Sequence, residues 1–386
     1  MILVFKRKLF RNIVSKIRSF RTTLLHKNKV WLNIVGKRKN MVIPISIILC
    51  LCFLTVCTVV ALKTYIRAFG RVNGHLDGSY YSDITWNDID QTRYAREEVR
   101  FSSGKNKLQG FVYGKTNSKG LVVISHGLGS TADSFIPMVT YFVDRGWRVF
   151  AFNNTGAGGS EGNGTRGLYQ SLIDLDAALA YVENTGAFRD LPVMLLGHSW
   201  GGFAVCAVLN YNHKINAVAS FAGYNSGMEV LREQGLAAAG VFYYGAIPQM
   251  MLLQKLLFGK VTKLNAVDGI NKAGVPVLIV QCSDDFLIPA ATTSIYAHRE
   301  KITNPHVEII YRDGEDATGH GDVFHSRKQR EYMNWADKNW ESYKAEHSNA
   351  SRAEWAREIN FDKALAGELD ASIMERVEKL FESARQ

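Results

Sequence analysis

An α/β domain with a mostly parallel central sheet, helices on both faces and a helical insertion, preceded by one N-terminal transmembrane helix, is the architecture predicted by this 386-residue sequence. Three observations predict it. From Val99 onward, short β-branched or aromatic runs alternate with helix-forming ones, the pattern of a sheet covered on both faces. A serine stands in a glycine-cornered turn, Gly197-His198-Ser199-Trp200-Gly201, between an apolar run and a helix-forming run. Finally, Met41 to Leu62 is a stretch of 22 residues without a charge.

Taken in chain order, residues 1–40 form a basic arm. Residues 1–76 hold 15 Lys or Arg and no Asp or Glu, which leaves the remainder with a net charge of −5 against +10 for the whole chain. The basic excess is therefore local, and a nucleic-acid role read from the overall charge is excluded. Within the arm, Phe10, Ile13, Val14, Ile17, Phe20 and Leu24 fall on one helical face, as in a helix lying on an anionic leaflet. Residues 41–62 as a helix are about 33 Å long, enough to cross the hydrocarbon core. Twelve basic residues precede them and only Lys63, Arg67 and Arg71 follow closely. The positive-inside rule then keeps the N-terminus cytoplasmic and puts the rest outside, at the cell membrane. The length of the apolar stretch and the lack of an A-x-A site favour an uncleaved anchor over a signal peptide.

Residues 63–93 read as a juxtamembrane linker and residues 94–386 as one domain. Val99–Ser103 and Lys107–Tyr113 read as a hairpin. Leu121–Ser125, Trp147–Phe152, Leu191–Leu196, Ala217–Ala222, Val275–Gln281 and Val307–Tyr311 read as further strands. Ser134–Arg145, Ser171–Asn184 and Gly202–Tyr211 read as helices between them. The stretch from about 224 to 270 is too long for a plain crossover. Its Leu231, Val241, Phe242, Tyr243, Tyr244, Ile247, Met250, Met251, Leu252, Leu256 and Phe258, with few charges around them, are expected to form a helical cap whose Met and aromatic residues make an apolar pocket. The charged C-terminal stretch from Glu331 reads as two or three helices without a role in the site. Of the five cysteines, Cys50, Cys52 and Cys57 lie in the apolar span, and Cys206 and Cys282 read as buried.

The chemistry is expected just past strand ends, where ligands bind in open α/β sheets. A serine hydroxyl is a poor nucleophile without a base, a carboxylate to orient that base, and donors for the oxyanion. His320, in Thr318-Gly319-His320-Gly321, is the expected base, ahead of His298, His306 and His325, which fall in or beside regular elements. Either Asp284 or Asp285 could orient it. Asp285 is preferred because the D-x-x-[VI]-P spacing leaves its carboxylate at the turn before Pro289. A second G-x-S-x-G match, at Gly158 to Gly162, has neither a strand before it nor a helix after it, and its Ser160 reads as a loop residue.

These elements together resemble the α/β-hydrolase superfamily, in its serine esterase, monoacylglycerol-lipase-like and serine-aminopeptidase-like branch. The resemblance is carried by Ser125-His126-Gly127-Leu128-Gly129, the Gly156 to Gly162 loop, Gly197-His198-Ser199-Trp200-Gly201-Gly202, Asp285 with Ile288-Pro289, and Gly319-His320. It implies the α/β-hydrolase fold, with the backbone N–H groups of Leu128 and Trp200 forming the oxyanion hole. It implies no metal or organic cofactor. One departure stands out: the family loop D-x-R-G-x-G-x-S has Asn153 and Thr155 here in place of the acid and the arginine.

The expected function is a membrane-anchored serine hydrolase cleaving carboxylic esters with an apolar, lipid-like acyl group, its partners being that ester substrate and the membrane through residues 41–62. A peptidase or amidase is the rival within enzymes. An acidic cluster for a free peptide N-terminus would favour it, and Glu229 and Glu233 are the candidates. A non-catalytic binding protein on the same scaffold is the rival outside enzymes.

Overall fold

The computed structural model describes residues 44–73 and 84–385, together with Thr22, His26 and Lys27. The basic-arm helix expected around Phe10 to Leu24 lies almost wholly outside the described residues, as do residues 74–83 of the expected linker.

Eight strands form one sheet: β1 (Arg96–Ser103), β2 (Asn106–Tyr113), β3 (Leu121–Ser125), β4 (Arg148–Phe152), β5 (Val193–His198), β6 (Ala217–Phe221), β7 (Val277–Cys282) and β8 (Val307–Arg312). Their spatial order is β1-β2-β4-β3-β5-β6-β7-β8. The first two pairs, β1–β2 and β2–β4, are antiparallel and the other five parallel. Every residue of β3, β6 and β7 is buried, which is why these strands read as unbroken apolar runs rather than alternating ones. The chain leaves β3 for β4 on one side and returns to β5 on the other. That reversal opens a crevice beyond the ends of β3 and β5, with Ser125 paired to Gly197 at its floor.

Helices cover both faces. On one side lie α3 (Gln170–Asn184), α4 (Trp200–Ala207) and α7 (Ala266–Ala273), packed through residues such as Leu172, Phe203 and Ile270. On the other lie α2 (Ile136–Asp144) and α11 (Ala371–Ser383), where Phe142 and Phe381 stack with ring centroids 5.8 Å apart. Burying each such side chain contributes roughly 1.5–3 kcal/mol. Between β6 and β7 run α5 (Gly227–Ala239) and α6 (Phe242–Phe258). The insertion is shorter than the expected 224–270. A Cβ at Gly269 would overlap the Cys206 carbonyl, so α7 belongs to the layer against α4. The C-terminal stretch forms four helices: α8 (Arg327–Glu346), α9 (Arg352–Glu358), α10 (Lys363–Ala366) and α11.

One helix precedes the sheet, α1 (Pro44–Ala68), and among the described residues it alone is long and apolar enough to cross a membrane. Only 11% of its apolar window is buried, unlike the core helix of a globular protein. The chain after it is not a free linker at first. Val72 exchanges backbone hydrogen bonds with Gly156 and Gly158 at 2.9 and 2.8 Å. The Arg71 guanidinium donates to the carbonyls of Gly158, Ser160 and Gly162 at 2.7–3.1 Å.

Candidate active site

Ser199 links β5 to α4 with φ 56° and ψ −111°, a strained conformation for any residue with a Cβ. The flanking glycines make the turn possible. A Cβ at Gly197 would overlap the Gly201 carbonyl, one at Gly201 would overlap the Ser125 carbonyl, and one at Gly202 would lie 2.8 Å from the Phe221 carbonyl oxygen. The turn therefore presses against β3 and β6 and lifts the serine out of the sheet. Its amide is held by the Phe221 carbonyl at 2.8 Å.

His320 meets it from the loop after β8. The Ser199 hydroxyl lies 2.8 Å from His320 Nε2, and His320 Nδ1 lies 2.8 Å from Asp285 Oδ2. The Asp285 side chain is fully buried and its other oxygen accepts the amides of Leu287 (3.0 Å) and Ile288 (2.8 Å). The Asp-x-x-Ile-Pro spacing thus works through an Asx-type turn that fixes the carboxylate. Asp284 faces elsewhere and accepts the Gly319 amide at 2.8 Å, a tie on the histidine loop. The other three histidines stay away from Ser199: His298 pairs with Glu229, His306 precedes β8, and His325 pairs with Asp322. His325 precedes α8 rather than lying in it, because Ser326 caps that helix.

Two residues missed in the sequence hold this arrangement. Gln281, on β7, donates to Asp285 Oδ2 at 3.2 Å and to the Ile288 carbonyl at 3.0 Å. His198 donates through Nε2 to the His320 carbonyl at 2.9 Å. Burial, reinforced by the neighbouring His320, pushes the His198 pKa down to about 3, so it acts as a neutral donor. The signal for Gln281 was a lone amide in an apolar strand, which must find partners when buried.

Leu128 and Trp200 both line the same cavity as Ser199. Trp200 opens α4, so its amide is among the first-turn N–H groups that a helix cannot satisfy itself. The turn carrying Leu128 is shaped by His126, whose Nδ1 donates to the Gly127 carbonyl (2.8 Å) while Nε2 accepts the Asn154 amide (3.0 Å). Burial lowers the His126 pKa to about 4, consistent with this neutral form.

The departure at Asn153 and Thr155 has a structural answer. Asn153 Oδ1 accepts the Ala132 amide, and its Nδ2 donates to Gln109. The fully buried Asp174 accepts from Ser103, Gln170, and the amide and hydroxyl of Thr155. Burial nevertheless raises its pKa. A guanidinium still reaches this loop, from Arg71. Ser160 is scaffold: its hydroxyl donates to the Asn153 carbonyl at 2.6 Å and accepts the Gln109 amide at 2.9 Å. Ser160→Ala is expected to label with a fluorophosphonate as fast as the parent protein while losing about 1–3 kcal/mol of stability by thermal denaturation.

The cavity has a volume of about 1120 Å³. Leu231, Tyr243 and Met250 of α5 and α6 line it, whereas Phe258 is buried against Tyr169 outside the lining. Val241, Phe242, Tyr244, Leu252 and Leu256 instead face outward and are exposed. The charged α8, expected to have no role here, contributes Gln329, Arg330, Asn334 and Asp337 to the lining.

A family model described as serine aminopeptidase, S33, matches residues 116–267, which carry the turn at Ser199 and the crevice strands. Over this segment the chain is similar to the α/β-hydrolase superfamily, and the similarity points to an enzyme of the serine-hydrolase type. Among curated relatives, the uncharacterized protein YfhR of Escherichia coli O157:H7 is 26% identical over 251 residues, covering 60% of this chain and 78% of that one. An uncharacterized abhydrolase domain-containing protein of Dictyostelium discoideum is 35% identical over 97 residues, 24% of this chain and 9% of its own length. Among solved structures, the Pyrococcus furiosus esterase Pf2001 aligns with TM-score 0.46 and 17% identity, covering 72% of this chain and 97% of its own. The acylaminoacyl peptidase of Pyrococcus horikoshii aligns with TM-score 0.44 and 15% identity, over 59% and 38% of the two chains.

Proposed function

We propose that this α/β-hydrolase cleaves carboxylic esters with an apolar acyl chain through an acyl-enzyme on Ser199. The observation that carries the reading is the unbroken hydrogen-bonded line Ser199–His320–Asp285 opening into a large, partly apolar cavity. His320 Nε2 takes the hydroxyl proton as Ser199 Oγ attacks the ester carbonyl. The Leu128 and Trp200 amides stabilise the tetrahedral oxyanion. The protonated His320, steadied by Asp285, then gives its proton to the leaving alcohol, and water repeats the sequence to release the acid.

The reading as an esterase rather than an aminopeptidase is supported by the surroundings of the two acidic candidates. Glu229 engages His298 and Asn225, Glu233 engages Thr292, and neither lines the cavity. Helices α5 and α6 act as the cap. We read α1 as an uncleaved anchor that holds the domain on the outer face of the cell membrane, with the N-terminus in the cytoplasm. The poor burial of α1 and its basic flank support this.

The full chain in detergent or nanodiscs is expected to hydrolyse p-nitrophenyl esters, with kcat/KM rising from acetyl to medium and long acyl groups. An aminoacyl p-nitroanilide is expected to turn over at least 100-fold more slowly than the best ester. A preference for the anilide would overturn the ester assignment.

A further inference from the structure

The last turns of α1 are part of the cavity wall. Ala61, Thr64, Tyr65 and Ala68 line the cavity that holds Ser199, together with Phe69 just after the helix. The contact is built in detail. Cys57 and Ala61 are buried, Cys57 against Gly245 of α6, where a Cβ would lie 2.8 Å from the sulfur. The Tyr65 hydroxyl donates to the Arg166 carbonyl at 2.7 Å and accepts from the buried Gln254 of α6 at 2.8 Å.

This packing fixes the depth of α6. A hydrocarbon core of about 30 Å needs about 20 helical residues. The uncharged stretch that supplies them runs from Met41 to Leu62, with Lys63 the first charge beyond it. Gly245 meets α1 at Cys57 and Phe53, about 9 and 15 Å inside the level of Lys63. Placing residues 41–62 across a bilayer therefore carries part of α6 below the membrane surface. The outward side chains at this end suit that position, since Val241, Phe242 and Tyr244, next to Gly245, are apolar or aromatic and exposed.

We propose that the start of α6 sits in the outer leaflet, and that the cavity takes the acyl chain of a lipid ester directly from the bilayer, along a wall formed by Ala61, Thr64 and Tyr65. This rests on the esterase reading above and adds to it the substrate's route and physical state. The anchor is then a piece of the binding site as well as an attachment, and removing α1 would open the cavity on one side.

The test uses the full chain in nanodiscs of neutral phospholipid. One substrate is a C16 p-nitrophenyl ester dissolved in the disc, the other the water-soluble C2 ester. The double variant Val241→Glu, Tyr244→Glu is expected to lose at least tenfold in kcat/KM on the C16 ester while keeping the parent rate on the C2 ester. Thr64→Trp, which fills the wall, is expected to lower the C16-to-C4 rate ratio at least tenfold. Parent-like C16 turnover by the double variant, with C2 turnover intact in both, would overturn immersion and leave the esterase reading standing. An unchanged chain-length profile in Thr64→Trp would overturn the wall assignment. Hydrolysis of neither ester by the parent would overturn the esterase reading and this proposal with it.

Discussion

Ser199→Ala is expected to leave a folded protein whose ester hydrolysis falls by on the order of 10⁶ and which no longer labels with a fluorophosphonate. Folding should survive because alanine keeps the same Cβ at the same strained backbone. The flanking Gly197, Gly201 and Gly202, which make the turn possible, are untouched. What disappears is the single oxygen that lies 2.8 Å from His320 Nε2. The measurement is single-turnover ester cleavage beside a thermal melt. A melting temperature matching the parent's, together with retained labelling, would remove Ser199 from the mechanism. His320→Ala should cost nearly as much, and the double variant little more, because residues acting as a unit are not additive.

Asp285→Asn is expected to lower kcat by about 10⁴ with little change in stability. The local hydrogen bonds dictate which way the new amide turns. Asp285 Oδ1 accepts two backbone amides, from Leu287 and Ile288, and only an oxygen can fill that position. The Asn Nδ2 must then face His320 Nδ1, where it donates instead of accepting. The imidazole is forced to carry its proton on Nε2, the atom that should receive the serine proton. Gln281 Nε2, 3.2 Å from the present Oδ2, would lose that acceptor and keep the Ile288 carbonyl. The check is a pH–rate profile: residual activity should recover partly at high pH, where hydroxide substitutes for the blocked base. A variant with parent kcat at neutral pH would reassign the orienting role.

The strands were legible because parallel strands buried on both faces must be written as continuous apolar runs, and each expected run overlaps an observed strand. Ser199, His320 and Asp285 were legible because their spacing to glycine or proline encodes a turn. Three other features left no local trace. Arg71 and Tyr65 engage partners about 90 to 100 positions away, and no periodicity announces that. Leu252 and Met250 look alike in the sequence, yet one faces outward and the other lines the cavity, because orientation on α6 depends on what packs beside it. The site role of helix α8 is hidden because charged composition describes its outer face well and says nothing of the side turned to the site.

The Arg71 clamp has one more consequence. It seizes the Gly158–Gly162 loop within three residues of the end of α1, so no flexible arm separates the helix from the catalytic domain. On a flexible arm, a site ranges over a volume and meets substrate at its bulk concentration. Under the anchored reading, a clamped site works at one height and one tilt. It addresses only molecules in the leaflet beneath it, and its turnover follows their density per unit area of that leaflet. Such an enzyme acts on its own membrane and leaves a neighbouring vesicle untouched.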